Sequence, residues 1–101
     1  MKPLEQLQSS DFLPHLNQTF TIQLEGVEPI ELELVAVTER GEGFQPGARQ
    51  AFSLLFLGPV SSQYLAQHMF RLEHPEMGAL DIFLVPLGPQ EGRMRYEAIF
   101  S

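Results

Sequence analysis

Cysteine is absent from this sequence, and so is tryptophan. The first absence excludes disulfides, thiolate metal sites and thiol nucleophiles together. The second leaves the aromatic bulk to eight phenylalanines, whose rings need no hydrogen-bond partner when buried. Positive charge is scarce: six Lys and Arg stand against thirteen Asp and Glu, a formal charge of −7. A nucleic-acid partner would need a basic footprint to displace counterions from phosphates, and the sign here is wrong. Anionic membrane surfaces are disfavoured for the same reason. No apolar run approaches the length of a membrane-spanning helix. The opening Met1-Lys2-Pro3-Leu4-Glu5-Gln6 lacks the apolar stretch of a signal peptide. The expectation is a soluble, cytoplasmic protein with no cofactor and no metal.

What the chain does contain is alternation. Residues 1–101 are read as a single domain, long enough to bury roughly 60–65% of its unfolded surface without staples. Apolar residues make up 44%, enough for a real core. Met69-Phe70-Arg71-Leu72-Glu73 and Leu80-Asp81-Ile82-Phe83-Leu84-Val85 are joined by His74-Pro75-Glu76-Met77-Gly78. Pro presets φ at one end of this link and Gly permits a left-handed residue at the other, so it predicts a β-hairpin. Thr19–Leu24 alternates with Phe20, Ile22 and Leu24 on one face. Ile30, Leu32, Leu34 and Ala36 share a face of a second strand, and Ala51–Leu57 is apolar on both faces except Ser53. Gly58-Pro59 is expected to end that strand, and Gly88-Pro89-Gln90-Glu91-Gly92 to lead into a last one, Met94–Phe100. The prediction is all-β and antiparallel, with six strands near 19–25, 30–38, 50–57, 67–73, 79–86 and 94–100. A short N-terminal helical turn capped by Ser9 or Ser10 precedes them, with Phe12 and Leu16 facing inward. The loop over 39–49, rich in Gly, is expected to be exposed and the first place for a protease to cut, at Arg40 or Arg49.

Partners across an antiparallel ladder share a face, which constrains register. Setting Glu73 opposite Ala79 places Arg71 opposite Asp81 and Phe70 opposite Ile82. The same rule sets Leu84 against Tyr96, Ile82 against Ala98 and Leu80 against Phe100. One continuous apolar face results, while Phe83 and Val85 lie on the other and also want cover. The sheet is therefore expected to curl into a small barrel or barrel-like sandwich. Phe83, Val85 and Phe12 are the candidate interaction surface, with Phe83 to be covered by the N-terminal turn around Phe12 or by a second chain.

Catalytic candidates are thin. His68 and His74 lie six residues apart on one strand, about 20 Å at ~3.3 Å per residue, too far to share an ion. Glu31 and Glu33 project from one strand face at a spacing glycosidases use, yet alternate with Ile30, Leu32 and Leu34 as a solvated face does. Gly41-Glu42-Gly43-Phe44-Gln45-Pro46-Gly47 has the glycines of a phosphate loop, but no helix follows to aim a dipole and Glu42 would repel phosphate. Ser53 sits in no nucleophile elbow. Arg71 with Asp81 reads as a surface charge pair.

Phe52-Ser53-Leu54-Leu55-Phe56-Leu57-Gly58-Pro59, His74-Pro75-Glu76-Met77-Gly78, Phe83-Leu84-Val85-Pro86-Leu87-Gly88-Pro89 and Tyr96-Glu97-Ala98-Ile99-Phe100 resemble an uncharacterised bacterial family of domains about this long. The resemblance runs from Phe12 onward. It implies a structural or adaptor role, in assemblies such as phage-tail-like ones, and brings no catalytic residues. The functional expectation is a non-enzymatic structural or protein-interaction module, with a protein partner or self-association. A small-ligand-binding β-barrel is the alternative, and an enzyme comes third.

Overall fold

In the computed structural model, residues 7–24, 26, 28–39, 51–60 and 65–100 are described. The expected loop over 39–49 and its cleavage sites fall outside them from residue 40 on, as do residues 61–64 of the stretch after the third strand. The described chain runs α1 (Ser9–Phe12), a 3-10 turn (Leu13–His15), then β1 (Thr19–Ile22), β2 (Ile30–Glu39), β3 (Phe52–Val60), β4 (His68–His74), β5 (Gly78–Gln90) and β6 (Arg93–Phe100). Every pairing is antiparallel, and the sheet closes in the order β1-β2-β3-β6-β5-β4. Two three-stranded meanders thus meet along β3–β6 and again along β1–β4. The all-β class, the six strands and the barrel expected from alternation are all present.

Inward-facing residues fill this barrel. Phe12, Phe20, Phe52, Phe56, Ile22, Leu32, Leu34, Leu54, Leu72, Ile82 and Leu84 are fully buried. Six strands enclose little more than the side chains they point inward, so the interior is packed core. At one end Phe52 and Phe100, opposite each other on β3 and β6, stack with centroids 4.7 Å apart. Phe12 leans on both at 5.8 and 5.7 Å and stoppers that end. The helix carrying it is capped by Gln8 rather than by Ser9 or Ser10. The Gln8 backbone N–H donates to Asp11 Oδ2 at 2.7 Å, and Ser9 Oγ instead donates to Glu39 on β2.

The β4–β5 register is the expected one: Glu73 faces Ala79, Arg71 faces Asp81 and Phe70 faces Ile82. The β5–β6 register differs by two residues, with Val85 opposite Glu97 and Pro86 opposite Tyr96. A shift of two preserves which residues face inward, so alternation alone cannot detect it. Its physical origin lies in the Gly-Pro segments, which do not end their strands. Both β5 and β3 pass through Gly-Pro with one extra residue opposite β6, between Pro86 and Gly88 and between Leu57 and Val60. The turn that follows is the two-residue Glu91-Gly92, with φ of 52° and 82°, as a type I′ hairpin requires. A third bulge, at Val35, reverses the facing of β2: Ala36 pairs with outward Leu55, and Val37 packs on the core instead.

Candidate functional site

Two places combine chemistry with access, and the first lies where the barrel closes. The β1–β4 seam is brief, with Thr21 opposite Glu73 and Ile22 opposite Leu72. Beside it, at the end stoppered by Phe12, a polar cluster links three elements. His15 ends the 3-10 turn, Gln18 immediately precedes β1, and His74 ends β4. Asn17, with φ of 67°, turns the chain between the first two. Both imidazoles reach one amide oxygen: His15 Nδ1 lies 2.9 Å and His74 Nε2 lies 2.7 Å from Gln18 Oε1. An amide oxygen only accepts, so both ring nitrogens donate. His74 Nδ1 then holds a lone pair, and it accepts the backbone N–H groups of Glu76 and Met77 at 3.1 and 3.3 Å. Every nitrogen of His74 is engaged, and its ring is buried between His15 (centroids 4.4 Å) and Phe20 (4.7 Å). Burial pushes the His74 pKa below the ordinary imidazole value, and the neighbouring His15 pushes it further, against the opposing pull of Glu76.

Beside His74 lies an open cleft of about 370 Å³, lined by Thr21, Gln23, Glu73, His74, Pro75, Gly78 and Ala79. Its volume is in the range that holds small molecules. No group of three or more His, Asp or Glu among the described residues is placed to hold a metal.

The second place is the outer face of β4, β5 and β6. Met69 pairs directly with Phe83. Ile99 stands two residues beyond Glu97 on β6, as Phe83 stands two before Val85 on β5, and since Val85 pairs with Glu97, alternation puts Ile99 and Phe83 on the same outer face. These three are 52%, 45% and 58% exposed. Val85, half-buried, continues the row toward Glu97, and the Arg71–Asp81 ion pair, at 3.3 Å, borders it.

Of the residues expected to form an interaction surface, Phe83 and Val85 do face outward. Phe12 does not join them. It is fully buried at the barrel end, because stacking on Phe52 and Phe100 removes the whole ring from water, and the N-terminal turn leaves Phe83 exposed. Glu33 is paired with Arg93 at 3.3 Å, whereas Glu31 stands exposed. Ser53 is buried, and no buried side-chain nitrogen or oxygen among the described residues lacks a hydrogen-bond partner. His15 and Gln18 were not legible as site residues. Nothing in their spacing announces His74, which is 56 residues from Gln18; the signal was the register of β1 against β4.

The architecture defines a small closed antiparallel β-barrel with a filled interior. Residues 7–100 match the family DUF6916, a domain of unknown function, and the chain belongs to that family. Neither a curated protein nor a solved structure matches it.

Proposed function

We propose that this domain is a non-enzymatic protein-interaction module, an adaptor within a larger assembly, that docks a protein partner on the outer face of β4, β5 and β6. The observation that carries the reading is the exposed cross-strand pair Met69–Phe83, with Ile99 exposed on the same outer face of β6, on a barrel whose own core is already complete. Full burial of such side chains is worth about 1.5–3 kcal/mol each, and on this face that stabilisation is still available to a partner. A closed sheet offers few strand edges for augmentation, so side chains on a face are the natural contact. The charge of −7 opposes a second copy of the chain and favours a partner with basic residues around an apolar centre.

The test compares wild type with Phe83→Ser and with the control Glu28→Gln as baits in a native lysate, read by quantitative mass spectrometry. A protein retained by wild type and the control but lost with Phe83→Ser supports the reading. Identical recovery by all three baits overturns it. Sedimentation of wild type alone addresses self-association, for which a concentration-dependent dimer abolished by Phe83→Ser would replace the hetero-partner.

A second reading, a small-ligand-binding barrel, is favoured by one observation only, the cleft beside His74. The filled interior directs any such ligand to the seam rather than to the barrel axis. Amide shifts at Thr21, Gln23 and Ala79 on titration with a fragment mixture would support it, and their constancy would sink it.

A further inference from the structure

We propose that the His15–Gln18–His74 cluster is a proton-sensitive latch on the β1–β4 seam, and that protonation of His74 opens the barrel there. Three features of the geometry carry this. The seam is the shortest ladder of the closed sheet among the described residues, with two residue pairs in register. Gln18 and His74 flank that ladder, so their 2.7 Å hydrogen bond extends it by one side-chain link. The hydrogen bonds around His74 also permit one protonation state. Nε2 donates to an oxygen that cannot donate back, and Nδ1 accepts two backbone N–H groups from its own turn.

A proton arriving at Nδ1 would convert that acceptor into a donor facing two donors. The 74–78 turn must then reorganise, leaving two amides to find other partners. His15 differs, because its Nδ1 already donates to Gln18 and a charge on it breaks no bond of the cluster. The groups that face His74 are few. His15 comes from the 3-10 turn, and Glu76 from the hairpin itself. Gln18 and the uncharged ring of Phe20 lie on the β1 side, and Glu73 is exposed at the rim of the cleft. Glu76 at the turn pulls toward a charged imidazole, and burial together with His15 outweighs it.

The sign follows from linkage. The neutral ring is favoured in the closed barrel, so the folded value lies below the model-peptide value of 6.5. The latch is fully effective above that value. It weakens as pH falls from there through the lower folded value, because opening takes up a proton in that window.

Hydrogen exchange read residue by residue between about pH 7.5 and about pH 5, corrected for intrinsic rates, tests the proposal. Opening at residues 19–22 and 72–77 should rise toward tenfold per pH unit inside the window, while protection along β3–β6 holds. The imidazole nitrogen shifts of His74 should report the Nε2–H form at the upper pH. Three variants separate a latch from general acid weakening. His74→Asn offers an oxygen to the same two amides but cannot titrate, and its seam should lose the pH response. Gln18→Glu places a carboxylate between the imidazoles, favours the charged ring and should weaken the response. His68→Asn alters an exposed histidine and should leave the response intact. A pH response unchanged in His74→Asn, protection falling evenly through the whole barrel, or a His74 ring in the Nδ1–H form would each overturn the latch.

Discussion

Two phenylalanines show how far the surroundings decide what a side chain does. Phe12 and Phe83 looked alike in the sequence, both apolar and both candidates for covering one another. In the folded chain Phe12 is sealed against Phe52 and Phe100, and Phe83 lies beside Met69 under water. Truncation should separate them. Phe12→Ala is expected to cost about 3–5 kcal/mol, the usual range for a buried ring, out of a total of about 5–15 for a domain of this size. Phe83→Ser should stay within about 1 kcal/mol, since its mechanism is neither a cavity nor a lost network. Urea denaturation of the two variants checks this, and comparable losses would mean that Phe83 has a structural duty. Alternation was enough to place Phe83 and Val85 outward, because facing is a period-two property of one strand. It was not enough to place Phe12, which lies in no strand and whose ring neighbours, Phe52 and Phe100, come from the middle and the far end of the chain.

At the scale of elements, the Gly-Pro segments repeat one device. In each, an arginine of β6 donates to a glycine carbonyl at the bulge. Arg93 Nε donates to the Gly58 carbonyl at 2.6 Å, and Arg95 Nε donates to the Gly88 carbonyl at 3.3 Å. Arg93 also reaches Glu33 on β2, so one side chain ties β6 to β3 and, beyond it, to β2. Arg93→Met, which keeps the aliphatic stem, should lose about 1.5–3 kcal/mol by thermal or urea unfolding, the range for hydrogen bonds from a charged donor. A loss below about 0.5 kcal/mol would mean water serves the carbonyl equally well. Glu91 offers a change of opposite sign. It holds φ of 52° in the type I′ turn, where a residue with a β-carbon is strained and Asn is at home. Glu91→Asn should stabilise by about 0.5–1 kcal/mol, a part of the ~1–2 kcal/mol that left-handed backbone costs. Sequence reading treated Gly-Pro as punctuation and so missed both features. Pro cannot donate to a ladder, which reads as a stop; here the strands run on, and arginines of β6 donate to the carbonyls of the glycines before each proline.

For the whole molecule, charge and topology matter more than any one contact. With thirteen acids against six bases, the surface repels itself when compact. Added salt screens that repulsion, and the melting temperature should rise by about 2–5 °C between low and physiological ionic strength. A fall would show that the Arg71–Asp81 and Arg93–Glu33 pairs outweigh the excess of acids.

The contact between Phe12 and Phe100 has a mechanical consequence. Residues near the two extremes of the described chain start side by side at one end of the barrel. Tension applied between them would first lift the phenylalanine stopper and then peel strands hydrogen bond by hydrogen bond, rather than shear a whole ladder at once. Peeling is the weak direction of a sheet. Such a domain carries load poorly along its backbone, so an assembly that uses it under strain would have to grip the broad outer face and leave the chain ends slack.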